Sequence, residues 1–308
     1  MLPVLVLAAF LNSPAPTLLQ TAPTPVPTPV PLAGESQSPP PTPELATLLA
    51  EAEARFARRS IGAITEVANP AEVDAAIALY RRALALAPRD IAILARLMRA
   101  MHFRGAYTGA GLEEKKAIFE EGRKLGQDAV DRLEAQARAG RGVSRIEALR
   151  LVRGAPDLYL WTAGHWGEWA LVRGKFAAAR SGIAGKLKDL SQTVIDLDPT
   201  FEDAAGYRLL GRLHSEAPKI PFITGWVSRD KALQYLRRAH AVGPRHPVTW
   251  YFLAEAILDH EPSKRDEALR LLEMCANTPP RPDTLLEDAR YATLARKHLE
   301  ALGVASGQ

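Results

Sequence analysis

The sequence predicts an all-α protein built as a linear array of antiparallel helix pairs, and three observations carry that expectation. Alanine and leucine are abundant, while aromatic residues make up only 6% of the 308-residue chain, a composition that favours helix over sheet. From Glu44 onward, apolar residues recur at helical spacing. One pattern also returns three times. AAIALYRRALALAPRD (75–90) sets Ala76, Tyr80, Ala83 and Pro88 in register. KALQYLRRAHAVGPRH (231–246) does so with Ala232, Leu236, Ala239 and Pro244, and EALRLLEMCANTPPRP (267–282) with Ala268, Leu272, Cys275 and Pro280.

Each copy reads small, large, small, proline. This is the second half of a tetratricopeptide repeat (TPR): small residues let two helices approach closely, and the proline breaks the chain before the next repeat. First halves are visible as well. PVTWYFLAEAIL gives Trp250, Leu253 and Ala254; AGYRLLGRLH gives Tyr207, Leu210 and Gly211; IAILARLMRAM gives Leu94 and Leu97. KLKDLSQTVIDLDPT (186–200) is a degenerate second helix ending at Pro199, and LLEDARYATLARKHLEAL (285–302) is a closing helix. The expected domain over 44–308 is therefore a TPR-like array of about four to five degenerate pairs plus a C-terminal helix. Extra material sits at 60–73, 104–112, 137–145 and 215–227.

Residues 1–43 differ. MLPVLVLAAFL is a short apolar run of signal-peptide length, without a basic residue ahead of it or a clear cleavage site behind it. Half of the 24 prolines fall in this stretch, and Glu35 is its one charged side chain. Such a segment cannot bury a core and reads as an extended polyproline-like tether. An apolar start followed by such a tether suggests an exported protein whose domain is held off a surface or partner; a disordered tail on a cytoplasmic protein is the alternative.

Net charge is only +4 and the arginines are dispersed. No basic run with interleaved aromatics marks a nucleic-acid binder. One cysteine, Cys275, excludes an intramolecular disulfide, a multi-cysteine zinc site and an N-terminal lipoprotein cysteine. It occupies a small-residue position and is expected to be an inert buried thiol. No stretch after the N-terminal run approaches a membrane span. HExxH, phosphate-loop and G-x-S-x-G signatures are absent, and GAGLEE (109–114) lacks the Lys-Ser/Thr of a P-loop. The chain is read as non-enzymatic, with no cofactor and no metal.

Two stretches break the plain pattern. PDLYLWTAGHWGEWALVRGKF (156–176) holds three of the five tryptophans, and Trp161, His165, Glu168 and Trp169 share one helical face with Trp166 beside them. This is either a core aromatic cluster or the wall of a ligand groove. APKIPFITGW (217–226) connects a first helix to its second with far more than a plain repeat needs. Pro218 ends the preceding helix, Gly225 offers a turn, and Ser228 is a candidate N-cap. The loop either plugs the array with Phe222 and Trp226 or projects them, with Lys219, into a pocket or partner. Trp161, His165, Trp166, Trp169, Lys219, Phe222 and Trp226 are accordingly the candidate binding residues, expected to meet around an apolar cavity fit for a hydrophobic small molecule.

LYLWTAGHWGEWA, followed by LLGRLHSEAPKIPFITGWVSRDKALQYLRRAHAVGP, resembles the T-component family of TPR-associated TRAP (tripartite ATP-independent periplasmic) transporters. More distantly it is similar to the regulators of microtubule dynamics. The first resemblance covers roughly 44–302. It implies an exported, periplasmic accessory protein that partners the extracytoplasmic substrate-binding protein, forms a homo-oligomer and offers a pocket or pore to an organic solute. Many members are lipoproteins, and this chain lacks their early cysteine. A generic TPR protein–protein adaptor without a small-molecule ligand is the alternative.

Overall fold

A computed structural model describes residues 42–64, 66–140, 142–174 and 182–304. All but the last two residues of the expected 1–43 tether therefore lie outside the described residues. The helices run α1 (Pro43–Ala57), α2 (Ala71–Leu86), α3 (Ile91–Tyr107), α4 (Leu112–Ala139), α5 (Arg145–Arg150), α6 (Ala155–Arg173), α7 (Ile183–Leu197), α8 (Phe201–Glu216), α9 (Arg229–Val242), α10 (Pro247–His260), α11 (Arg265–Asn277) and α12 (Leu285–Ala301). Among the described residues there is no strand, only one isolated bridge between Ile64 and Val67.

Successive helices pack as antiparallel neighbours: α1 with α2, α3 with α4, α6 with α7, α8 with α9, and α10 with α11. Among the described residues the array has five pairs and a closing helix, with the short α5 inserted after α4. The small positions of the repeated motif lie where helices cross. Ala76, Ala83, Ala232, Ala239 and Ala268 have no exposed surface, and Cys275 has 1%. Burial pushes the Cys275 thiol up to about 12, so it stays protonated and unreactive. The second arginine of each expected surface pair, Arg82 and Arg238, is exposed, while Arg237 bridges Glu261 and Glu267. Caps come from the local sequence: the side chains of Thr42, Asp90, Ser144 and Ser228 each accept a backbone N–H of the first turn.

Helix α12 does more than end the array. It packs on α11 and α10, and its side chains reach α3 and the segment after α1. Tyr291 sits edge-on to Tyr251 and Phe252 of α10 at 5.4 and 5.5 Å. Arg290 donates to the Ala106 carbonyl of α3 at 2.8 Å and covers the Tyr107 ring at 3.9 Å. Just after α1, the buried Arg59 donates to Glu287 at 3.3 Å and to the Asp283 carbonyl. Arg281, ahead of α12, clasps Asp288 through two nitrogens at 2.8 and 2.9 Å and lies 3.6 Å from Asp203 of α8. The first and last elements of the array are thus tied together.

The start of α8 is irregular. Glu202, Asp203 and Ala204 all have left-handed φ, 49, 51 and 67°, which costs non-glycine residues roughly 1–2 kcal/mol each. Arg208, fully buried, reaches back to the carbonyls of Glu202 and Asp203 and satisfies them. Gly243 lets Asp203 pack against the end of α9, since a Cβ there would lie 2.7 Å from that of Asp203.

Two glycines test the close-packing argument in opposite directions. At Gly211 a Cβ would fall 2.5 Å from Leu236 Cγ, whereas at Gly185 in α7 it would meet nothing within 4 Å. Gly211→Ala should therefore destabilise by about 1–3 kcal/mol through overpacking, despite alanine's better helix propensity. Gly185→Ala should gain up to about 1 kcal/mol from that propensity. Chemical denaturation of the two variants reads both signs.

Candidate functional site

The tryptophan-rich stretch forms α6, and nearly all of its face toward α3 and α4 is buried. Helix α4 carries a pair of glycines one turn apart. A Cβ at Gly122 would strike the His165 ring at 2.2 Å, and one at Gly126 would strike Thr162 Oγ1 at 2.4 Å. His165 is fully buried, and its Nε2–H donates to the Met98 carbonyl at 2.9 Å. That bond fixes the neutral tautomer, and burial holds its pKa down to about 4. His102 of α3 lies against it, rings 5.8 Å apart, and contacts Trp161 at 5.3 Å. His102 is also driven well below its ordinary value, by burial first and by His165 and Arg290 next.

Glu168, one turn after His165, is buried with Oε1 unpaired. Desolvation lifts its carboxyl to about 7, against the opposing pull of Arg290 and Lys115. Trp166 donates its indole N–H to Gln127 at 3.1 Å, and Lys186 donates to the same oxygen at 2.9 Å. Outward from there, cations and indoles interleave. Arg123 lies 4.7 Å from the Trp166 ring and 4.4 Å from Trp169, Arg173 covers Trp169 at 4.3 Å, and Lys186 covers Trp166 at 4.8 Å.

The second stretch is a tightly built loop. Ala217 takes extended ψ before Pro218 and ends α8 as expected. Thr224 has no exposed surface; its hydroxyl accepts from Ile220 N–H at 2.8 Å and donates to the Pro218 carbonyl. The turn is made by Phe222 at φ 63°, rather than by Gly225, which keeps negative φ. Phe222 is 108% exposed and Ile223 40%. Lys219 is exposed, and Trp226 is half-buried. Trp226 packs edge-on against His214 of α8 at 5.3 Å, and Lys188 of α7 covers it at 5.0 Å. Ser228 N–H donates to His214 Nδ1 at 3.1 Å, and burial brings His214 down to about 4.

The structure brings Trp161, His165, Trp166 and Trp169 into one neighbourhood and Lys219, Phe222 and Trp226 into another. Helix α7 separates them. It packs on α6 and on α8, and its Lys186 meets Trp166 while Lys188 meets Trp226. Two residues along a helix turn through about 200°, so the two indoles flank opposite sides of α7. The expectation of a shared apolar cavity is corrected to two separate aromatic clusters. The Phe222 ring also does not plug the array, because left-handed backbone aims it into solvent.

Sequence reasoning missed His102, Gly122, Gly126 and Arg290, which complete the inner cluster, and Tyr207, His214 and Tyr235, which extend the outer one. Tyr207 and His214 are seven residues apart on α8 and hence on one face, a signal that was present. The contribution of α12 left no comparable trace.

The two clusters give opposing pH dependences. Glu168 has its folded pKa raised, so it disfavours folding as pH rises from about 4.5 through 7. His165 and His214, both near 4 when folded, cost stability as pH falls below about 6.5. Glu168→Gln removes the first effect and keeps the shape. Its melting temperature should exceed that of the wild type at pH 8, and the difference should shrink by pH 5; a difference that stays constant would show that the fold does not raise the Glu168 pKa.

No family model matches the sequence, and no curated protein matches it. Among solved structures, the chain is similar to a thermophilic TPR protein of Thermus thermophilus, with TM-score 0.51 and 18% identity over 82% of this chain and 99% of that one. The TPR2AB-domain:pHSP90 complex of yeast Sti1 also aligns, at TM-score 0.27 and 14% identity over 82% and 96% of the two chains. Together with the helix order and the buried small residues, the first likeness establishes that the chain has the tetratricopeptide-type fold.

Proposed function

We propose that the chain is a non-enzymatic interaction scaffold that docks a protein partner through the 217–227 loop. The observation that carries this reading is Phe222. A phenylalanine in left-handed backbone is unfavourable, and here the ring lies wholly in solvent. Burial does not repay that strain in the free chain; contact with a partner would. Thr224 and the His214–Ser228 bond pre-organise the loop, which lowers the ordering cost of binding. Ile223 and Lys219 beside the ring supply an apolar rim and a cation.

The partner follows from the resemblance given above: an extracytoplasmic substrate-binding protein of TRAP-type uptake, with this chain as its exported, oligomeric accessory. The alternative hydrophobic-solute site receives less support, since Trp161, His165 and Trp166 are committed to His102, Met98 and Gln127.

Phe222→Gly separates docking from structure, because glycine removes the ring and accepts the same φ. Stability should stay within about 1 kcal/mol of the wild type, while a solute-binding protein that co-purifies from the native host with the full chain should be lost. Retained binding with lowered stability would reassign the loop to a structural role. A co-purifying partner of another class would leave the scaffold reading and remove the transport one.

A further inference from the structure

One surface combines stacked rings with unused hydrogen-bond donors. Tyr207 of α8, Tyr235 of α9, His214 of α8 and Trp226 of the loop form a continuous strip, with consecutive ring centroids 6.3, 5.6 and 5.3 Å apart. His214 is buried beneath it, and the other three rings are half-exposed. Lys188 lies over the Trp226 end. Among the described residues, the Tyr207 and Tyr235 hydroxyls, the Trp226 indole N–H and the Lys188 ammonium donate to no protein acceptor, unlike Trp166 and Trp250, whose indoles are both satisfied. His214, neutral and held through Nδ1 by Ser228, adds no charge to the strip. A row of aromatic faces edged by donors fits a ligand that is apolar, extended and rich in acceptors.

Proline-alternating peptides have that chemistry. Proline has no N–H, so such a backbone offers carbonyl acceptors with few competing donors. It enters aromatic-lined grooves as a preformed polyproline II helix at low entropic cost. This chain carries such a sequence: Pro23, Pro25, Pro27, Pro29 and Pro31 alternate with Thr24, Val26, Thr28 and Val30. In a helix of three residues per turn, the faces read Pro23/Val26/Pro29, Thr24/Pro27/Val30 and Pro25/Thr28/Pro31. Every face is uncharged and presents only proline or a β-branched residue. Pro31 lies 11 residues before Thr42, which gives the segment up to roughly 34 Å of extended chain from the start of α1.

We propose that the Tyr207–Tyr235–Trp226 strip is a docking site for the chain's own proline-alternating segment, residues 23–31. The strip shares Trp226 with the partner-docking loop but not Phe222, so the two proposals fail separately. Occupancy would bring the segment alongside the loop.

The test uses the full chain labelled with 5-fluorotryptophan, with the Trp226 resonance assigned by its disappearance in Trp226→Phe. Replacing Pro25, Pro27 and Pro29 together by alanine should shift that resonance. Titrating a synthetic peptide of residues 21–33 into this variant should return it, and should fail to do so when Tyr235→Ala is added. Circular dichroism checks that each variant is folded. A Trp226 resonance identical in the wild type and the proline variant overturns the proposal, as does one unmoved by millimolar peptide. A concentration-dependent shift that persists in the proline variant, with a dimer in sedimentation, assigns the strip to a second copy and also overturns it. Loss of partner binding in Phe222→Gly with the Trp226 response intact would support the strip as a site separate from the loop.

Discussion

A buried ion pair between the two ends of the array constrains everything else in the molecule. Arg59, just after α1, and Glu287, in the first turn of α12, are each less than one-tenth exposed and 3.3 Å apart. Burying such charges is costly unless geometry and further hydrogen bonds compensate. Here Arg59 also donates to the carbonyls of Phe56 and Asp283 and stacks on the Phe56 and Phe103 rings. Removing either partner would strand the other charge, so the contact enforces one arrangement of the ends. A repeat stack in which each pair touches only its neighbours can flex along its length. This one is also pinned end to end by Arg59 and Glu287.

Arg290 on Tyr107, Tyr291 among Tyr251 and Phe252, and the Arg281–Asp288 clasp commit the side chains around α12 to the fold. The unspent chemistry lies on the α7–α9 edge, where Phe222 stands in solvent and a row of rings keeps its donors free. The tryptophans of α6 differ in kind. They interleave with Arg123, Arg173 and Lys186 from α4, α6 and α7, and the cations of α4 and α7 on those indoles fasten helices together.

Legibility in the sequence followed the range of the interaction. The repeated small–large–small–proline pattern is local, and its small positions proved to be the buried crossings of the helices. The end of α8 at Ala217 and the Ser228 cap were equally readable, because backbone sterics and capping depend on adjacent residues. Gly225 misled, since glycine only permits a turn. The turn formed at Phe222 because Thr224, on one side of it, ties down Ile220 and Pro218 on the other. The meeting of α1 with α12 was invisible: Arg59 and Glu287 are 228 residues apart, and neither sits in a motif. Likewise, nothing in HWGEW announces that Gly122 of another helix makes room for His165.

The aromatic residues show how one residue type serves opposite ends in a chain that has few of them. On α6 the indoles of Trp166 and Trp169 lie where cations of α4 and α7 approach, so burial and cation–π contact fix their rotamers. On the α8–α9 edge, Tyr235 and Trp226 pack on one buried histidine and Tyr207 packs on Tyr235, without using their hydroxyls or indole N–H. A neutral His214 is essential to that design. Its Nδ1 accepts from Ser228 and so pins the loop, and a proton there would break the bond and place a charge beside Lys188 and Lys231, both of which already disfavour it. Loop, helix cap and ring strip therefore depend on one imidazole. The edge stays ordered while the Tyr207 and Tyr235 hydroxyls and the Trp226 indole N–H have no acceptor among the described residues.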